Sequence, residues 1–293
     1  MDKKPYVVSG DIDILLKRWS LRKGFLAPQD RFFSMLQSEL SNELGSIFDC
    51  AEVIPSSDLL GSEQILSAGN DVKTITLDRV YSNAPHRIEL TRTVSADMSD
   101  RPITARQDSP DINKQIAALK NFFPEGTHII LYDDVIFTGE LLEKVCGQLK
   151  DAGLIVDKIV CGVGIEAGLN NLAKLGINIV YVKKYKDVVD QVCERDFYPG
   201  VDYSGRTLDT DRRVGLPYLL PFGKPTKWAS IPPNCAIDFS KFCIEQSIKL
   251  FQEIERYSNK PVLCSDIDRK LVCLPTNGAS FVDYLKSSLS RIA

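Results

Sequence analysis

The stretch THIILYDDVIFTGELLEKV, from Thr127 to Val145, limits the possible fold more than any other part of the chain. A short apolar run (Ile129, Ile130, Leu131) leads into two adjacent acids, Asp133 and Asp134. Val135, Ile136, Phe137, Thr138 and Gly139 follow, and from Glu140 the spacing turns helical. Leu141, Leu142, Val145 and Leu149 recur on one helical face, and Gly153 takes a C-cap position. The order predicts strand, acidic turn, glycine, helix start. Free N–H groups and the positive dipole end at a helix start attract phosphate. Two carboxylates at a strand's end can accept hydrogen bonds from a sugar diol or hold a hard cation such as magnesium. A phosphorylated sugar would use both halves.

Composition narrows the class. The 293 residues leave room for one large domain or a domain with additions, and 44% hydrophobic with 26% charged residues is ordinary for a globular protein. A net charge of −3 gives no sign of a nucleic-acid or membrane-surface binder. No apolar run approaches the ~20 residues that span a bilayer, and MDKKPYVVSGDID lacks the apolar core of a signal peptide. A cytoplasmic protein is expected. The eight cysteines are scattered without a C-x-x-C pair, as buried thiols are in a reducing compartment. Two histidines, His86 and His128, leave little material for a His-based metal site or triad.

Along the chain, residues 1–45 read as a helical extension. Ile12, Leu15, Leu16 and Trp19 form a stripe after a candidate N-cap, Asp11, and Phe33, Leu36, Leu40 and Leu44 form a second. Residues 46–190 alternate short strands and helices, the pattern of an α/β core with a mostly parallel sheet. Strands are predicted over 47–54, 72–77, 87–93, 154–165 and 177–185, with helices near 63–67, 112–122 and 169–175. The polar segment Ser95–Asp111 has no apolar periodicity and reads as a mobile lid. Residues 191–293 hold a proline- and aromatic-rich region, then helices packed on the core. Five prolines between Pro217 and Pro233 exclude regular structure there, and its aromatics predict a rigid packed loop. Phe197, Tyr198, Tyr203 and Arg206 could wall a base-stacking or phosphate site, or pack in the core. Asp266 and Asp268 read as the charged turn of a hairpin.

The Thr127–Val145 segment closely resembles the phosphoribosyl-diphosphate (PRPP) motif of type I phosphoribosyltransferases, and the element order resembles that family more loosely over Ser46–Tyr185. The resemblance implies a Rossmann-like α/β fold of phosphoribosyltransferase type. It implies that Asp133 and Asp134 face the ribose hydroxyls, with presumed Mg2+, and that Ile136–Leu141 wraps the 5′-phosphate with the Thr138 hydroxyl. The turn after the first core strand, Pro55, Ser56, Ser57 and Asp58, would take pyrophosphate. Arg92, Arg101 and Arg106 would reach the diphosphate, the last two from the lid. Phe137 and Leu141 stand where the family has hydroxyl residues, and Glu140 adds a negative charge. A side chain at Gly139 would crowd the phosphate-binding N–H groups while leaving the fold intact.

DDVIFTG, RDFYPGVDYSGR, GLPYLLPFG and KWASIP together resemble phosphoribosyltransferase-like proteins of bacterial conflict and defence loci, including retron-associated effectors. Three readings stay open: a PRPP-dependent glycosyltransferase, a module that senses PRPP or a nucleotide without turnover, and a scaffold that meets a protein partner from the same locus.

Overall fold

The computed structural model describes residues 3–60, 71 and 73–292. The chain forms two compact units, each assembled from separated segments. One takes the chain up to Ser56, Arg92–Pro102 and everything from Val189. The other takes Ser57–Thr91 and Ile103–Val188. This interleaving does not coincide with a linear division at 45/46 and 190/191.

The unit containing the acid turn is built on five strands, all parallel: β3 (Thr74–Thr76), β4 (His86–Arg87), β7 (His128–Ile136), β8 (Ile155–Ile165) and β9 (Asn178–Tyr185), in the order β4-β3-β7-β8-β9. The α/β class with a parallel sheet is therefore the one observed. Crossover helices α4 (Ile112–Leu119), α5 (Glu140–Asp151) and α6 (Glu166–Ala173) supply its cover. β7 is central, so its apolar residues Ile129 and Leu131 are buried together with Leu142, Val145 and Leu149 of α5. Gly153 ends α5 at φ +85°. Its N–H bonds the Lys150 carbonyl at 2.9 Å, and the Leu154 N–H reaches the Leu149 carbonyl at 2.9 Å. That double closure satisfies carbonyls the helix end would otherwise leave open.

In the other unit, β1 (Tyr6–Ser9) lies between β2 (Ala51–Ile54) and β10 (Asp190–Cys193), both parallel to it. Helices α1 (Ile12–Lys23) and α2 (Asp30–Ile47) bury the two predicted stripes. α8 (Ala236–Ser258) and α9 (Phe281–Leu289) complete its helical cover. Trp19, Phe251 and Phe281 meet edge to face, with centroids 6.1 and 4.7 Å apart. The proline-rich stretch is packed as expected, with Tyr218, Leu219, Phe222 and Trp228 buried, although a short helix, α7 (Pro225–Trp228), interrupts the loop.

Several sequence expectations change. α2 runs to Ile47, so the strand predicted from residue 47 starts only at Ala51. β1 and β10 were not legible, because four-residue buried strands show no alternation and pair with distant segments. Strand 87–93 divides into β4 and β5 (Leu90–Val94). The predicted helix at 63–67 lies outside the described residues. Ser95–Asp111 is not a structureless lid. After a turn at Ser95–Ser99, β6 (Asp100–Ala105) pairs with β5 at the edge of a four-stranded sheet completed by β11 (Arg206–Leu208) and β12 (Gly215–Leu216). Pro102 is tolerated there because an edge strand need not donate on its open side. The region of Asp266 and Asp268 forms turns held by isolated bridges at Leu263 and Lys270, not a hairpin. No helix among the described residues is long and apolar enough to cross a membrane.

Asp11 does precede α1, but its carboxylate makes no cap bond. It accepts from the Arg195 N–H at 2.9 Å and pairs with the Arg195 guanidinium. Beside it, Glu194 is fully buried; its Oε2 accepts from the Asp11 N–H at 3.1 Å and from Gln37 Nε2 at 3.0 Å, and its Oε1 has no partner. Burial, with the Asp11 charge adding to it, pushes the Glu194 carboxyl up to about 8. Burial likewise pushes Asp11 up to about 7 against the opposing pull of Arg195. The ordinary glutamate value is 4.5, so between about 4.5 and 8 the native state binds more protons than the unfolded chain. Stability must then fall as pH rises through that window. Melting temperatures taken from about pH 5 to 8 should drop less steeply in Glu194→Gln, which keeps the acceptor but cannot ionise; parallel curves would mean that Glu194 does not titrate there.

Candidate functional site

The carboxyl ends of β3, β7 and β8 and the start of α5 form the floor of the candidate site. Ligands of open parallel α/β sheets bind at this edge. Asp133 is 9% exposed and its Oδ1 accepts from the Asp134 N–H at 3.1 Å. Asp134 is half-buried, and its carbonyl lies against β8 at Gly162, where a Cβ would come within 2.9 Å. Next door, Asp78 follows β3, and its carboxylate accepts from the N–H groups of Val80 (2.9 Å), Tyr81 (2.6 Å) and Ser82 (3.1 Å), which pins the neighbouring loop. The Tyr132 hydroxyl is buried without a hydrogen-bond partner, and burial followed by the charges of Asp78 and Asp134 raises its pKa well above the usual phenol value. Burial, reinforced by Asp133 and Asp134, also raises the Cys161 thiol, so it stays neutral and unreactive.

The turn follows. Val135 is half-buried against Val163, Ile136 is buried, and Phe137 is 38% exposed. Thr138 is exposed; its carbonyl accepts from Asn171 Nδ2 at 3.1 Å, and its Oγ1 lies 3.5 Å from the Glu140 N–H. Gly139 is buried at φ +83° as the N-terminal flank of α5. A Cβ on it would stand 2.9 Å from the Gly168 carbonyl oxygen and 3.1 Å from Leu172 Cγ. Conversely, a Cβ on Gly168 would strike the Phe137 carbonyl at 2.4 Å. The two glycines let the turn and α6 touch backbone to backbone. This corrects the sequence expectation that a side chain at 139 would leave the fold intact. Glu140 and Leu141 open α5, whose geometry leaves its first N–H groups without intrahelical acceptors. Glu140 and Glu143 lie in that first turn and already complement the dipole.

Successive side chains of an extended strand point to opposite faces. Asp133 and Asp134 therefore take alternate faces, and no group of three or more acidic, histidine or cysteine side chains suited to a metal occurs among the described residues.

The other expected residues fall in several places. Ser56, buried at the start of α3 (Ser56–Leu60), donates its hydroxyl to Asp13 at 2.8 Å, while Ser57 is exposed with its hydroxyl 3.3 Å from Asp58. Arg106 Nε faces Glu89 at 3.6 Å, a carboxylate that also binds Arg79. Arg92, Arg101, Tyr198 and Arg206 belong to the unit without the acid turn. Arg101 Nε is 3.4 Å from Asp209. Arg92 is exposed on β5, yet its guanidinium hydrogen-bonds Tyr218, whose influence, ahead of Asp196, raises its pKa. Arg206 pairs with Asp100 and stands 5.1 Å over the Trp228 ring and 6.0 Å over Tyr218. Arg92 and Arg206 thus meet around Tyr218. Tyr198 is a core residue with its hydroxyl unpartnered, not a stacking wall. Sequence reading missed Gly162, Gly168 and Asn171 around the turn; the only trace of the last two is GLNN opening a helix after a predicted strand.

No known protein-family model matches the chain, and no curated protein matches it. Similar solved structures include UMP synthase of Leishmania donovani (18% identity, TM-score 0.28), of which the match covers 44% of this chain and 27% of that one. Orotate phosphoribosyltransferase of Mycobacterium tuberculosis, in complex with 5-phospho-alpha-D-ribosyl 1-diphosphate, matches at 15% identity and a TM-score of 0.26, covering 45% of this chain and 75% of that one. Purine phosphoribosyltransferase of Pyrococcus horikoshii matches at 15% identity and a TM-score of 0.28, with 46% and 87% covered. At such identities and TM-scores no activity, ligand or residue role passes from these proteins to this chain.

The glycine geometry generates a stability contrast. Gly139→Ala forces a Cβ into a left-handed turn, about 1–2 kcal/mol by itself, before the Gly168 contact is relieved. Gly147→Ala, in the exposed middle of α5 with nothing within 4 Å of the new atom, should stabilise by about 0.5–1 kcal/mol. Urea midpoints that move in the same direction for both variants would contradict this packing.

Proposed function

We propose that the chain binds PRPP or a related 5′-phosphorylated nucleotide at Asp133–Leu141 and transfers the phosphoribosyl group to a nitrogen nucleophile. One observation supports the reading above the others. The acid pair lies near the carboxyl end of the central strand of a parallel sheet, and the chain passes from there through a left-handed glycine into a twelve-residue helix. That places hydroxyl acceptors beside a helix start able to take a phosphate. In this reading the half-buried Asp134 meets the ribose diol, and Thr138 with the first N–H groups of α5 holds the 5′-phosphate. Magnesium belongs to the substrate, carried on its diphosphate. Pyrophosphate leaves C1 with the bonding electron pair, the nitrogen lone pair forms the new C1–N bond, and the nitrogen's proton passes to solvent. The work of the protein is positioning and stabilisation of charge.

A second reading, a nucleotide sensor without turnover, is favoured by the exposed Phe137 ring in the phosphate turn and by the two glutamates in the first turn of α5. A role in bacterial defence, a protein partner from the same locus and a cytoplasmic setting belong to the proposal and rest on the sequence segments alone. Calorimetry with magnesium and PRPP should give a Kd that rises about ten- to a hundredfold in Asp134→Asn, the loss of one charge-assisted hydrogen bond. Unchanged affinity would remove the acid turn from the site. Release of pyrophosphate from PRPP in the presence of nitrogen acceptors such as nucleobases selects the transferase, and tight binding without release selects the sensor.

A further inference from the structure

The same unit holds a cavity of about 610 Å³ at the opposite, amino edge of its sheet. Lys73 precedes β3, His86 opens β4, and Thr127 with His128 opens β7; Phe122 and Phe123 come in from the end of the α4 segment. At ~3.3 Å per residue, the five steps of β7 from His128 to Asp133 put it roughly 17 Å from the acid turn. It is a separate place.

Its lining is unusual for this chain. Both histidines of the whole sequence face it, although the chain has 293 residues. His86 meets Phe122 at a tilt and Phe123 edge to face, with ring centroids 4.9 and 4.6 Å away. Phe122 leaves 63% of its surface exposed, a large apolar ring presented to an opening rather than to a core. The lining contains a lysine and no acid, in a protein of net charge −3. Asp157, outside the lining, accepts at His128 Nδ1 at 2.6 Å and so holds that ring in one orientation. The Lys73 ammonium makes no ion pair among the described residues; its backbone N–H bonds Asp71 at 2.8 Å and its carbonyl accepts from the Ile130 N–H at 3.1 Å. The volume lies within the range of small-molecule sites, roughly 300–1,000 Å³. Aromatic rings gain from offset or edge contact with another ring, and a lysine at the rim selects an anion.

We propose that this cavity is a second ligand site, for a flat aromatic ring carrying one anionic group: the ring against Phe122 and His86, the anion toward Lys73. The idea stands apart from the reading of the acid turn, since neither site shares a residue with the other.

Because the chain has only two histidines and both line this cavity, their ring protons report on it. Proton NMR of the full chain should show both imidazole signals shifting to saturation on titration with naphthoate. Decalin carboxylate, of similar bulk and equal charge but without a ring system, should bind at least several-fold more weakly. Phe122→Ala removes an exposed side chain and should weaken naphthoate about tenfold. Lys73→Met should abolish the preference for naphthoate over uncharged naphthalenemethanol. Unmoved histidine signals, equal binding of the saturated acid, or undiminished affinity in Phe122→Ala would each overturn the proposal, as would a preference for the charged ligand that persists in Lys73→Met.

Discussion

Backbone contact between the turn after β7 and helix α6 is the constraint on which the candidate site depends. Gly139 adopts φ +83° with Gly168 against it, and neither position has room for a Cβ. The contact sets where α5 begins, since Gly139 is its N-terminal flank, and it brings Asn171 to the Thr138 carbonyl. A glycine that lets a backbone approach a phosphate and a glycine that lets two elements pack look alike in a sequence. Here the packing role is the one the geometry displays.

The two acids divide their labour for an equally simple reason. Strand alternation sends Asp133 and Asp134 to opposite faces. Asp133, nearly buried, takes the next N–H, and Asp134 stays half-open beside Gly162. Tyr132 shares the face of Asp134, and its unpartnered hydroxyl marks unsatisfied polarity beneath the acid. Polar groups of that kind are costly to leave buried, and they concentrate where a ligand or water completes them.

The unit built on β1 stores its charge differently. Asp11, Arg195 and Glu194 lie close together in its interior, with Gln37 as a neutral partner. Removing one member would strand another, whereas the complete set is largely satisfied by hydrogen bonds. The arginines offered as diphosphate or phosphate contacts follow the same habit. Arg101, Arg106 and Arg206 each face a carboxylate, and Arg92 and Arg206 gather at Tyr218.

Local pattern alone determined a good deal. The apolar run of β7, the helical face of α5 and the glycine at 153 specify their own conformations, because strand alternation, helix periodicity and a left-handed cap are properties of neighbouring residues. The stripes of α1 and α2 were legible for the same reason. β1 and β10 were not, since a short strand is stabilised by partners far away in the chain: Val7 pairs with Glu52 and Gln191. Tyr198 could be a wall or a core residue until long-range packing enclosed it, and Ser56 could be an anion ligand until Asp13 accepted its hydroxyl. The assembly of each unit from separated segments and the meeting of His86 with His128 were decided by tertiary structure. Side-chain identity says what a group can bind, and only the folded chain says which groups have already been taken.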